Sequence, residues 1–202
     1  MGDADSDSGA GPGAGLAAAP TTMATRERLR RSQRQLRDRY EREPDASVVR
    51  LAVRGGGADL ADPLHCEVGP VALPSMTWRS GAHPAVGGDG DAPCSGELLL
   101  GALAACQEVT IRMVAANLGI ELEEIAIEVE GDWDPRGTLA MGAGFPVGLT
   151  AVRCRTRLVL KGDEAPDRAE RLVRSAERYC VVLATLRAGV PVEATFQLSS
   201  DS

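Results

Sequence analysis

The stretch GELLLGALAACQEVTIRMVAANLGI, residues 96–120, constrains the fold more than any other part of this chain. It is the longest apolar run, and its composition predicts a buried helix over residues 96–118, ended by Asn117 and Gly119. Its most apolar part, 98–106, is too short to span a bilayer and is bounded by Glu97, Glu108 and Arg112, so no membrane crossing is expected. One thiol, Cys106, sits midway along the helix, with Gln107 and Glu108 directly after it. That thiol is either a small core filler or the group the helix exists to present.

The segments after the helix supply what packs on it. In ELEEIAIEVEGDWD, Ile125, Ile127 and Val129 face one way, while Glu124, Glu128 and Glu130 face the other. In TAVRCRTRLVLKGD, Val152, Cys154, Thr156 and Leu158 make an inner face; Arg153, Arg155 and Arg157 make an outer one. Two alternating strands with opposite outer charges are natural antiparallel neighbours, and Cys154 then belongs to the core. SVVRLAVRGGG, from residue 47, and LHCEVGPVAL also read as strands. EAPDRAERLVRSAERY, 164–179, is an amphipathic helix with Leu172, Val173 and Ala176 inward. Cys180 lies just past it, VVLATLRAG is a short helix ending at Gly189, and VPVEATFQL is a closing strand. The fold class is α+β, an antiparallel sheet around a long central helix.

The N-terminal part differs in character. Residues 1–22 are Gly, Ala, Asp and Ser with little to bury, which predicts a disordered tail. TRERLRRSQRQLRDRYERE then carries eight arginines. It predicts a basic helix within residues 23–45, with Thr25 as N-cap and Leu29, Leu36 and Tyr40 as a thin apolar stripe. Such a helix is either an arm packed lightly on the body or a docking element for an acidic partner or a second subunit. The remaining residues, 46–202, form the main domain.

Several functions are excluded. A net charge of −7 and 3% aromatic residues do not fit a nucleic-acid reader. The five cysteines, Cys66, Cys94, Cys106, Cys154 and Cys180, include no CxxC pair. Only His65 and His83 could assist them, and the adjacent His65-Cys66 does not have metal-site spacing, so neither metal nor cofactor is expected. An odd thiol count and an acidic start broken by Gly and Pro, unlike a secretory leader, point to a reducing, cytoplasmic setting. The long loop SGAHPAVGGDGDAPCSG lacks the GK[ST] of a phosphate loop. Asp89 and Asp91 fall short of a calcium-loop ligand set and read as turn residues. His83 reads as a loop residue, and Trp133 and Arg136 as closing a hairpin. Cys94 and Cys106 are separated by a helical rise of roughly 15 Å, beyond the roughly 7 Å that a disulfide spans. Cys106 therefore needs a thiol from elsewhere, and Cys180, at a helix junction, is the best candidate. The alternative is that both are core thiols.

APCSGELLLGALAACQEVTIRMVA resembles the signature helix of the OsmC/Ohr family. AERYCVVLATLRAGVPVEATFQL resembles that family's second cysteine segment, and VEGDWDPRGTL is similar to the strand and turn between them. The resemblance spans roughly residues 47–198. It implies an OsmC-like intertwined homodimer and a thiol-dependent peroxidase of oxidative stress defence, acting on organic hydroperoxides or hydrogen peroxide. Cys106 would match the peroxide-reacting cysteine and Cys180 the resolving one. Arg54, in AVRGGG, would hold the thiolate, with Arg79 in TWRSGAHP as the other choice. Glu97 would orient that arginine. An external dithiol or lipoyl-type reductant would restore the pair. Leu99, Leu103 and Met113 would give Cys106 an apolar wall suited to an alkyl peroxide. Three features depart from the family pattern: Val181 stands where proline is usual, Cys94-Ser95-Gly96 replaces the usual proline-containing approach to the helix, and Gly96 stands ten residues before Cys106, where some members have glutamate. These departures leave room for a non-catalytic OsmC-like dimer that binds an apolar small molecule or a protein partner.

Overall fold

The computed structural model describes residues 22–199. In chain order the elements are α1 (Thr22–Arg42), β1 (Val53–Gly55), β2 (His65–Pro70), β3 (Trp78–Gly81), α2 (Ser95–Leu118), β4 (Leu122–Trp133), α3 (Pro135–Thr138), β5 (Leu149–Leu160), α4 (Pro166–Tyr179) and α5 (Val181–Ala188). β1, β2 and β3 form one antiparallel sheet, and β4 and β5 form a second. The expectation for residues 1–22 falls outside the described residues, apart from Thr22, where α1 begins.

The central helix starts one residue earlier than its sequence predicts, because Cys94 caps it. The Cys94 sulfur accepts the Glu97 N–H at 3.4 Å, and the Glu97 carboxylate accepts the Cys94 N–H at 2.7 Å. This is a capping box with a thiol where serine or threonine is usual. Gly119 ends the helix in the left-handed region, φ 72°, its N–H turned back on the carbonyls of Ala115 and Ala116. By length and composition alone α2 would suffice to cross a membrane. Here it packs on β4, α4 and α5 instead.

The β4–β5 ladder follows the charge pattern. Glu128 lies opposite Arg155 and Glu130 opposite Arg153. Arg153 pairs with Asp132 at 2.6 Å, Arg155 with Glu130 at 2.7 Å, and Arg157 with Glu124. These pairs are exposed and screened by solvent, so they serve register more than stability. The opposite face carries Ile125, Ile127, Leu158 and Leu160 onto a core of Ile111, Ala115, Ile120, Leu172 and Ala176.

Five expectations are corrected. The strand expected from residue 47 begins only at Val53, and Val48, Val49 and Leu51 before it are exposed. VPVEATFQL forms no strand, and Phe196 and Leu198 are 90% and 99% exposed. Both segments have a strand-like pattern, but a strand exists only where a ladder partner does, and neither finds one among the described residues. Val173 is exposed rather than inward, and Cys154 is half-buried between exposed Val152 and Thr156. That stretch of β5 therefore lies outside the core cluster. Finally, Thr25 lies inside α1 and does not cap it.

α1 rests on the far end of α2. Arg30 donates to the Ala116 carbonyl at 2.5 Å, the Asn117 amide donates to Gln33 at 2.7 Å, and Arg26 pairs with Glu121 at 3.4 Å. Arg30 thus satisfies a C-terminal carbonyl of α2 and places a positive charge at the negative end of its dipole.

Candidate active site

The site is assembled by the way α4 is anchored. Leu172 and Ala176, fully buried, hold α4 against α2. The helix ends at Tyr179, and Cys180, with φ −75° and ψ 106°, flanks both α4 and α5. α5 then runs back against α2. Cys180 is 0% exposed, Cys106 is half-buried, and all five cysteines are free thiols.

The Cys106 sulfur is surrounded by donors. Its polar neighbours are the backbone N–H groups of Val182 and Val181, the Cys180 thiol, and the Thr110 hydroxyl one helical turn along α2. Burial pushes the Cys106 thiol up. The Val182 N–H, the Cys180 thiol, the Val181 N–H and the Thr110 hydroxyl outweigh it, so Cys106 lies below the ordinary thiol range. Cys180 moves the other way. Burial raises it, and the Cys106 sulfur to which it donates raises it further, against the N–H groups of Leu183 and Val182. The first proton lost from this coupled pair therefore leaves Cys106, and the remaining one stays on Cys180.

The other expected residues lie elsewhere in the chain. Arg54 is exposed on β1, opposite Gly69. Arg79 is held by Asp91 at 2.8 Å. Glu97 is occupied in the capping box, where the Cys94 N–H, its strongest influence, holds its carboxyl below the usual range. A single chain does not bring any of the three to Cys106. Thr110 and the two valine amides went unread from sequence. Thr110 had a signal in its i+4 spacing from Cys106, whereas the amides had only the helix junction at Cys180.

Leu99 and Leu103 line a cavity of about 610 Å³ with Gln107, Val152, Cys154 and Leu183, and Cys106 is not among the residues that line it. Met113 does not join them; it lies beside Thr25, Arg26 and Leu29 under α1. A second cavity, about 490 Å³, opens at the start of α2 between Cys94, Glu97, His83 and Trp133. His83 stacks edge-on to Trp133 at 5.6 Å, and its Nδ1 accepts the Ala85 N–H, consistent with a loop residue. Trp133 donates to the Val147 carbonyl at 3.2 Å, closing the β4–β5 connection.

Asp91 is more than a turn residue. His65 bonds Asp62 at 2.7 Å and Asp91 at 2.8 Å, and it lies 3.4 Å from Asp89. Asp62, and next Asp91, raise the His65 pKa. His65, Asp89 and Asp91 have the mutual spacing of metal ligands. With Arg79 already on Asp91, however, the cluster acts as a staple from β2 and β3 to the loop that leads into α2.

The sequence profile of the OsmC-like proteins matches residues 88–195, more than half of the chain. The fold is similar to that of an OsmC-like protein of unknown function from Vibrio cholerae, with a TM-score of 0.55, 13% identity, and coverage of 68% of this chain and 94% of that one. An OsmC-like protein from Mycoplasma pneumoniae is similar at a TM-score of 0.55 and 13% identity, covering 70% and 89%. An organic hydroperoxide resistance protein OsmC from Legionella pneumophila is similar at 0.51 and 20% identity, covering 70% and 92%. At these identities the likeness is one of fold. No curated relative matches the sequence. The profile match takes in both cysteines of the site and every element from α2 to α5, and the chain belongs to the OsmC-like protein family.

Proposed function

We propose that this protein is a thiol peroxidase that reduces hydroperoxides through Cys106 and Cys180. One observation carries the reading: the buried Cys180, at the junction of α4 and α5, neighbours the half-buried Cys106 of α2, in surroundings that lower the second thiol and raise the first. The Cys106 thiolate attacks the terminal peroxide oxygen. The O–O bond breaks, an alcohol leaves with a proton, and Cys106 becomes a sulfenic acid. The Cys180 thiol, already in contact, then attacks that sulfur and releases water, leaving a disulfide. An external dithiol returns both to thiols. The hydroperoxide resistance proteins among the structures of similar fold agree with this chemistry.

Intact mass after one equivalent of cumene hydroperoxide tests the proposal. The expected result is a loss of ~2 mass units per chain, mapped to a link between Cys106 and Cys180. An unchanged mass with both thiols still alkylatable would favour the other reading, a binder of apolar small molecules. Its support is the cavity beside Trp133, lined by no group of the thiol pair.

We also infer that two copies assemble. Leu99 and Val109 of α2, Val48 to Leu51 and the tail from Val190 to Leu198 are uncovered apolar surface. In that assembly Arg54, exposed on β1, is the guanidinium free to reach a partner's thiol. Sedimentation at micromolar concentration is expected to return a dimer, and a monomer would overturn this inference.

A further inference from the structure

α1 and α2 do not close on each other completely, and between them lies a cavity of about 440 Å³. Leu29, Met113, Ile120 and Leu122 give it apolar walls, and Arg26 and Arg112 give it positive charge. Among the described residues no acidic one lines it. One wall, α1, lies outside residues 88–195, so membership of the family assigns this cavity nothing.

Of the two cations Arg26 is the more covered, with 24% of its side chain exposed against 64% for Arg112. Arg112 is held by Glu108, one turn back on α2, at 2.5 and 2.9 Å. Arg26 meets Glu121 at 3.4 Å, and Lys161 shares that carboxylate at 3.6 Å. One carboxylate thus serves two cations, which leaves the Arg26 guanidinium with unmatched charge and free donors beside an apolar wall. The negative end of the α2 dipole does not oppose an anion here. Arg30 covers the Ala116 carbonyl at 2.5 Å, and Arg168 covers the Leu118 carbonyl at 2.7 Å.

We propose that this cavity binds an aliphatic carboxylate, with its chain on Leu29, Met113 and Leu122 and its head group on Arg26. The two halves of the lining select the two halves of the ligand. A neutral hydrocarbon would leave the guanidinium unmatched under cover, and a small inorganic anion would leave the apolar walls wet. Carboxylate is the anion that a planar guanidinium fork meets with paired hydrogen bonds, and the volume lies within the range of small-molecule sites. The site is separate from the thiol pair and does not rest on the peroxidase reading.

The test uses the full chain with its thiols reduced, no peroxide, and two probes of equal chain length, decanoate and decanol. Calorimetric titration reads the affinity, and the Met113 methyl resonance reads the place. Decanoate is expected to bind saturably, to move the Met113 resonance, and to bind more tightly than decanol. Arg26→Gln is expected to weaken decanoate roughly fivefold and to leave decanol unchanged. Glu121→Gln removes the same ion pair but keeps the guanidinium, so it is expected to hold or tighten decanoate.

Equal affinity of the two probes in the parent overturns the proposal, and so does an Arg26→Gln variant that binds decanoate as the parent does. Equal weakening in Arg26→Gln and Glu121→Gln overturns it as well, since the loss would then come from a loosened α1. A second copy of the chain filling the cavity would leave the Met113 resonance unmoved by decanoate, which also overturns it. Should Arg26→Gln fail to fold by circular dichroism, the comparison of the two probes in the parent decides.

Discussion

Cys106→Ser is expected to eliminate hydroperoxide consumption, by at least ~10³-fold, the scale on which losing a covalent nucleophile acts. Serine preserves size, and its hydroxyl still meets the N–H groups of Val181 and Val182 that face the native sulfur. The fold should therefore survive with an unchanged melting curve. What disappears is the ionisable, polarisable nucleophile. A serine hydroxyl ionises far less readily than the lowered Cys106 thiol. Cys180 does not take over, because burial, the largest influence on it, still raises its thiol when Cys106 is gone. The assay is loss of cumene hydroperoxide under a dithiol reductant, beside thermal unfolding of both proteins. Turnover by the variant at the parent rate would remove Cys106 from the chemistry, and the proposed function with it.

The second large effect is on stability. Leu172 is 0% exposed and packs in the cluster of Ile111, Ala115 and Ile120, where α4 meets α2. Leu172→Ala removes three carbons from a site with little freedom to collapse. The cost is expected at about 2–5 kcal/mol, which lowers the melting temperature by roughly 5–15 °C in a chain of this size. Val173→Ala, one residue on and 53% exposed, is expected to change stability by less than about 0.5 kcal/mol. The contrast matters for function because α4 delivers Cys180. With Leu172 truncated, the disulfide after one equivalent of peroxide should form more slowly, leaving more Cys106 open to further oxidation. A melting temperature within 1–2 °C of the parent, about what 0.5 kcal/mol produces, would mean that α4 is not anchored through this residue.

Most of the main domain was legible because its signals are local. The length and apolarity of residues 96–120 predict α2, and Gly119 marks its end, since an αL residue is what stops such a helix. The alternation of Glu124, Glu128 and Glu130 against Arg153, Arg155 and Arg157 predicts the β4–β5 ladder, because period two puts each charge row on one face. The same rule misled for the segments before Val53 and after Val190. Their patterns are strand-like, but neither segment pairs with a strand among the described residues.

The site divides along the same line. That Cys106 lies mid-helix and Cys180 at a helix junction is written in the order of residues, as is the family signature around them. Which groups meet at the sulfur is not. Glu97 and Arg79 had plausible types, yet capping the α2 N-terminus and pairing with Asp91 took them. The donors that do reach Cys106 include two backbone amides, which every residue but proline carries and no residue type announces. Periodicity and turn chemistry act over a few residues, so the sequence determined the elements and the two thiols. The approach of α5 to α2 is set by burial of Leu172 and Ala176 some tens of residues away from their partners, and only the packed structure decided what surrounds the thiol.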